Sequence, residues 1–150
     1  MRSLTQWMSL YGESHQHPTN KLIHWMAVPG IFFCVVALLW SLPTPWQQTE
    51  MNWATLATLP AALFYLRLSR PLGIAMCLFM GMCLMLCHWL SATAPLLYLA
   101  TGLFVVLWIA QFVGHAVEGK RPSFFTDLQF LLIGPAWLMQ RILRQLRIPT

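Results

Sequence analysis

Four histidines and one glutamate stand where apolar segments begin or end: His15, His17, His24, His115 and Glu118. Imidazole and carboxylate donors of this kind suit non-haem Fe(II), Zn or Mn. In a helix, Gln111 is one turn before His115 and Glu118 is three residues after it, so one face carries all three. Asn20 and His24 share a face for the same reason. His15 and His24, nine residues apart, would point in opposite directions on one continuous helix, at about 900° of rotation. A break at Pro18 removes the conflict. With His15 on a first helix, His24 on a second and His115 on a later one, three imidazoles can converge on a metal, with Glu118 and His17 as further candidates.

Other readings of these residues stand beside this one. A single histidine at a helix end serves equally as a cap or an interfacial residue, and Glu118 beside Lys120 and Arg121 can form a surface ion pair worth little. His24 and His115 could instead be axial ligands of a haem held between facing helices. The run Met76, Cys77, Met80, Met82, Cys83, Met85 and Cys87 contains soft donors for Cu(I), although it faces many directions and also serves as polarizable filler. His88 falls at the far end of its segment and is read as interfacial. No nucleotide-binding loop, Ser-His-Asp order or HExxH motif occurs.

The elements that position these residues follow from composition. Of 150 residues, 58% are hydrophobic and 9% charged, and mean hydropathy is +0.61. A soluble domain has roughly 25% charged residues, so the chain is expected to be an integral membrane protein of one domain, 1–150. Runs near the roughly 20 residues that cross a bilayer are Leu22–Leu42, Met51–Leu66, Leu72–Leu90 and Pro95–Gly114. The second is short and contains Pro60. The stretch Leu128–Met139, interrupted by Gly134-Pro135, suits an interfacial or re-entrant segment. The expected fold is therefore all-α: a bundle of about four transmembrane helices with interfacial or re-entrant helices at both ends.

Nine Lys and Arg against four Asp and Glu give a net charge of +5. All nine fall on one side of the four-span arrangement, and the connections Ser41–Glu50 and Ser91–Ala94 contain none. The positive-inside rule then places both termini in the cytoplasm, and a bacterial inner membrane is the expected location. The basic excess is topological, and nucleic acid is not an expected partner. The cysteines Cys34, Cys77, Cys83 and Cys87 lie in apolar stretches as free thiols. Residues 1–17 lack the apolar core of a signal peptide.

At the N-terminus, Leu4, Trp7, Met8 and Tyr11 form an apolar stripe that His15 continues. Near the C-terminus, Leu138, Ile142, Gln145 and Leu146 alternate with Arg141, Arg144 and Arg147, a pattern expected against anionic headgroups. The tryptophans Trp25, Trp40, Trp46, Trp53, Trp89 and Trp137 are expected mostly at the two interfaces.

The assembled residues resemble the two signatures of the membrane 2-hydroxy fatty acid dioxygenase family, which degrades phytosphingosine-derived acids to odd-chain fatty acids. The first, Y-x3-H-x4-N-x3-H followed by Pro, reads Tyr11, His15, Asn20, His24 and Pro29. The second, Q-F-x-G-H followed by Glu, a basic pair and Pro, reads Gln111, Phe112, Gly114, His115, Glu118, Lys120, Arg121 and Pro122. Gly134-Pro135 matches a further dipeptide of the family.

The resemblance implies an Fe(II)-dependent oxidoreductase that uses O2 on 2-hydroxy long-chain fatty acids, a step of fatty acid α-oxidation and lipid metabolism. It points to His15, His24 and His115 as catalytic metal ligands, and to Tyr11, Asn20, Lys21, Gln111 and Arg121 for substrate binding. A 2-hydroxy acid can chelate iron through carboxylate and hydroxyl, and C1–C2 cleavage then gives CO2 and an acid one carbon shorter. The acyl chain is expected between the first and fourth spans, in contact with membrane lipids.

Overall fold

The computed structural model describes residues 3–13, 15–46, 51–119 and 130–150. Within them lie six helices: α1 (Leu4–Glu13), α2 (Pro18–Ser41), α3 (Trp53–Leu68), α4 (Arg70–Thr93), α5 (Leu96–Glu118) and α6 (Ile133–Gln145). No strand occurs among the described residues, and the all-α expectation holds.

Helix α2 begins where the histidine spacing requires a break. Pro18 occupies its first turn, where a missing N–H costs nothing, and the Nδ1 of His17 accepts from the Thr19 N–H at 3.2 Å. The chain becomes extended at Leu42, ahead of Pro43, which disfavours a helical conformation in the residue before it. Helices α2, α4 and α5 have 24, 24 and 23 residues and are apolar enough to cross a membrane. At 1.5 Å per residue they reach about 35 Å, against roughly 30 Å of hydrocarbon. Helix α3, with 16 residues, reaches only about 24 Å, as its short apolar run foretold.

Close backbone approaches hold the bundle together. Helices α3 and α4 form a hairpin in which a Cβ on Gly73 would come within 2.6 Å of the Leu66 Cα. Helix α5 lies antiparallel against α2, with Gly30 facing Leu107 and Gly114 facing the Asn20 side chain. The outward faces remain apolar: Leu78, Met82, Met85, Val106 and Ile109 are exposed, as lipid-facing side chains are. In the Met/Cys run, Met76, Met80, Cys83 and Cys87 are buried while Met82 and Met85 are exposed, so the run wraps around α4 and only its buried members pack as filler.

The two ends of the bundle differ. At one, Trp40 meets His88 with ring centroids 6.1 Å apart. At the other lie the start of α2 with Lys21, the α3–α4 turn with Arg67 and Arg70, the end of α5, and both flanking helices. The Tyr65 hydroxyl, near the end of α3, donates to the Leu132 carbonyl at 2.8 Å, tying the C-terminal segment to this end. Arg2, Lys120 and Arg121 fall outside the described residues.

Helix α6 departs from the sequence reading in two ways. Gly134-Pro135 starts the helix rather than breaking it, because the first turn has no intrahelical use for a proline N–H. Its buried face is Ile133, Ala136, Trp137, Gln140 and Leu143. Of the stripe expected against lipid headgroups, Leu138 is buried whereas Ile142, Gln145 and Leu146 are exposed. Arg141 stacks over the Trp137 ring at 3.8 Å, so α6 is packed into the bundle along one side.

Candidate metal centre

Three imidazoles meet at the basic end. His15 follows α1, His24 lies two turns into α2, and His115 is in the last turn of α5. All three are buried, at 3%, 1% and 4% exposure. Their ring centroids are 4.3 Å (His15 to His24), 5.0 Å (His24 to His115) and 5.6 Å (His15 to His115) apart. One nitrogen from each lies within 4.8 Å of those of the other two.

Two of the rings have their tautomers fixed. The Nδ1 of His15 lies 2.6 Å from the Tyr11 carbonyl, and the Nδ1 of His24 lies 2.9 Å from the Asn20 carbonyl. A carbonyl only accepts, so Nδ1 carries the hydrogen in each and the neutral ring keeps its lone pair on Nε2. This is the arrangement of metal-binding histidines, in which the second nitrogen is anchored by a backbone carbonyl. Three buried imidazoles converging in this way fit a divalent ion.

A second layer supports the rings. Tyr11 stacks on His15 at 4.2 Å and 12°. Trp137 of α6 lies 5.4 Å from Tyr11 and 5.9 Å from His15. The absence of a side chain at Gly134 lets α6 approach, since a Cβ there would meet the Tyr11 hydroxyl and Val28 at 3.0 Å. Glu118 lies outside the trio. Its carboxylate accepts from the N–H groups of Gln16 at 2.7 Å and His17 at 2.8 Å, and from the Asn20 Nδ2 at 3.0 Å. One side chain of α5 thus fastens the α1–α2 loop that presents His15. His17 is exposed and caps α2.

The remaining sequence candidates are distributed around this core. Tyr11 and Gln111 line a chamber of about 30 Å³ beside His24, with Val28, Ile31, Trp108, Phe130, Leu131, Gly134 and Pro135 as its other walls. Asn20 is fully buried between Glu118 and Gly114, a bracing position. Lys21 is half-buried on the first turn of α2. Arg121 lies outside the described residues. His88, beside Trp40 near the far end of α2, is about 24 Å along that helix from His24.

Sequence reasoning missed the contribution of α6. Trp137 is buried against the site, and Gly134 and Leu131 form chamber walls. The signal was the Gly-Pro pair itself, which allows a close approach at the start of a helix. The α2–α5 seam, expected to hold the acyl chain, is closed by the Gly30–Leu107 and Gly114–Asn20 contacts. Phe130, Leu131, Gly134 and Pro135 wall the chamber on its other side.

The family model for Mpo1-like 2-hydroxy-palmitic acid dioxygenases matches residues 1–146. The chain belongs to this family. The 2-hydroxy-palmitic acid dioxygenase MPO1 of Saccharomyces cerevisiae is 33% identical over 144 residues, covering 93% of this chain and 79% of the yeast protein. No solved structure matches the chain. The family match takes in all three histidines of the centre, both signature segments and α6.

Proposed function

We propose that this member of the Mpo1-like family is an Fe(II)-dependent 2-hydroxy fatty acid dioxygenase that shortens its substrate by one carbon. The observation that carries the reading is the buried convergence of His15, His24 and His115, in a chain related to a dioxygenase. Iron is favoured over zinc because zinc has no redox chemistry. A haem between His24 and His115 is disfavoured: those rings meet edge to face at 5.0 Å, with His15 packed against both.

The balanced reaction takes RCH(OH)COOH and O2 to RCOOH, CO2 and H2O. The C1–C2 bond breaks, and the substrate supplies all the electrons, so no 2-oxoacid cosubstrate is required. His15, His24 and His115 would hold the metal, which when bound supplies the one-electron chemistry that dioxygen requires. The protein's residues do the rest. The Tyr11 and Asn20 carbonyls keep Nδ1 protonated on two rings, directing Nε2 inward. Three neutral imidazoles leave the charge of a dication for an anionic substrate headgroup to offset. Gln111, buried in the chamber wall, is positioned to donate its amide N–H to the substrate carboxylate or hydroxyl. Glu118 keeps the His15 loop closed over the site.

The three long apolar helices, with the shorter α3 as a fourth crossing and the basic residues at one end, support a multi-pass protein with both termini cytoplasmic; a bacterial inner membrane is the location we propose. The test is iron quantification with product analysis on purified protein and on His24→Ala and His115→Ala. Both variants should insert in the membrane but lose iron and release no shortened acid. Full iron content in either would refute the ligand assignment. A 2-hydroxy acid should also be turned over far faster than its unsubstituted or 3-hydroxy analogue, by as much as about 10⁴-fold, because a site built around a hydroxyl rejects analogues lacking it.

A further inference from the structure

The chamber beside His24 is far too small for an alkyl chain, yet one of its walls is shared with a larger space. Leu131, half-buried, lines both the chamber and a cleft of about 400 Å³ between α2 and α3. The cleft is walled by Phe32, Val36 and Leu39 of α2, by Ala57 and Ala61 of α3 and by Met80 of α4. His24, Val28, Phe32, Val36 and Leu39 recur at three- and four-residue spacing, so metal ligand, chamber wall and cleft wall lie along one face of α2. From His24 to Leu39 that face runs about 22 Å toward the opposite end of the bundle. The α2–α5 seam offers no such path, since Gly30 and Gly114 pack it shut.

We propose that the alkyl tail of the 2-hydroxy acid passes Leu131 and lies in the α2–α3 cleft, making Leu131, Ala57 and Ala61 determinants of chain-length preference. This rests on the dioxygenase reading above. A headgroup at the three histidines must send its tail away from the basic end, and this cleft, across Leu131 from the chamber, extends in that direction. Ala57 is exposed, so the cleft opens sideways to the bilayer and a lipid-soluble acid can enter without crossing water. The small side chains of α3 leave the width that a chain needs, and larger ones would fill it.

The experiment uses the full chain in phosphatidylcholine nanodiscs with Fe(II). Two photoreactive 2-hydroxypalmitic acids, with a diazirine at mid-chain or at the methyl end, are crosslinked and the labelled peptides mapped. The mid-chain probe should label the segment around Leu131 or Val28, and the terminal probe residues 54–61 or 35–39. In parallel, the turnover ratio of 2-hydroxypalmitate to 2-hydroxyoctanoate is measured for Ala57→Phe and Ala61→Phe. It should fall about 10-fold or more, in the range that single pocket groups discriminate. Val106→Phe, on the lipid-facing side of α5, should leave the ratio unchanged. Terminal labelling on α5, or on α4 away from Met80, or an unaltered ratio in both cleft variants, would overturn the proposal. If a variant loses iron, the label map on the unsubstituted protein decides. If that protein labels the cleft but produces no shortened acid, the dioxygenase reading fails and the tail site stands.

Discussion

Removing the Glu118 carboxylate should weaken metal binding without removing a ligand. Glu118 makes three hydrogen bonds across to the α1–α2 segment, two to the backbone of Gln16 and His17 and one to Asn20. In Glu118→Ala the exposed N–H groups of Gln16 and His17 can turn to water and lose little. The bond from fully buried Asn20 is different: a hydrogen bond to a charged acceptor is worth about 1.5–3 kcal/mol. A net loss of about 2 kcal/mol, expressed in the closure of the His15 loop, corresponds to roughly 30-fold in metal affinity. That falls within the 10–100-fold usual for partners that orient ligands. Glu118→Gln keeps an acceptor and should lose only about fivefold, given weaker neutral hydrogen bonds. The assay is anaerobic Fe(II) titration of purified variants, with thermal unfolding measured alongside. Saturation at one iron per chain with weakened affinity supports the strap. Unchanged affinity in Glu118→Ala would refute the coupling between loop and centre, and an inability to bind iron at any concentration would make Glu118 a ligand.

Other predictions follow from the fold. His88→Ala should retain iron and turnover within about twofold, because His88 lies at the other end of the bundle. Gly73→Ala should destabilise by about 1–3 kcal/mol, since its Cβ would overlap the Leu66 backbone. Gly102→Ala, which meets nothing within 4 Å, should be neutral or slightly stabilising by helix propensity; thermal unfolding in detergent separates the two. Single cysteines at Ala92 and Thr150, in a background lacking the four native ones, should label from opposite sides of the membrane with an impermeant reagent. Labelling of both from one side would overturn the topology.

Much of the site was legible in the sequence because its geometry is local. The nine-residue spacing of His15 and His24 required a break, Pro18 supplied it, and the structure starts α2 there. The pairing of His24 with His115 followed from counting spans, since antiparallel α2 and α5 must bring an early and a late residue to one end. What was not legible depended on packing between distant segments. Periodicity identified the apolar residues of α6, but its inner face is set by contacts with Tyr11 and Val28 that Gly134 permits. The role of Glu118 was equally hidden, because its partners are two backbone N–H groups and these carry no sequence signature. The α2–α3 cleft arises from small residues that looked in the sequence like any other apolar span.

In the proposed function the three-histidine centre removes the carboxyl carbon of a 2-hydroxy acid oxidatively. The most direct measurement gives anaerobically purified protein, with and without Fe(II), a 2-hydroxypalmitic acid labelled isotopically at its carboxyl carbon, then admits oxygen and follows the label. Only the iron-loaded protein should release labelled CO2, consuming one O2 and forming one unlabelled acid one carbon shorter for each. Retention of the label in the acid product, or equal release by iron-free protein, would contradict the account.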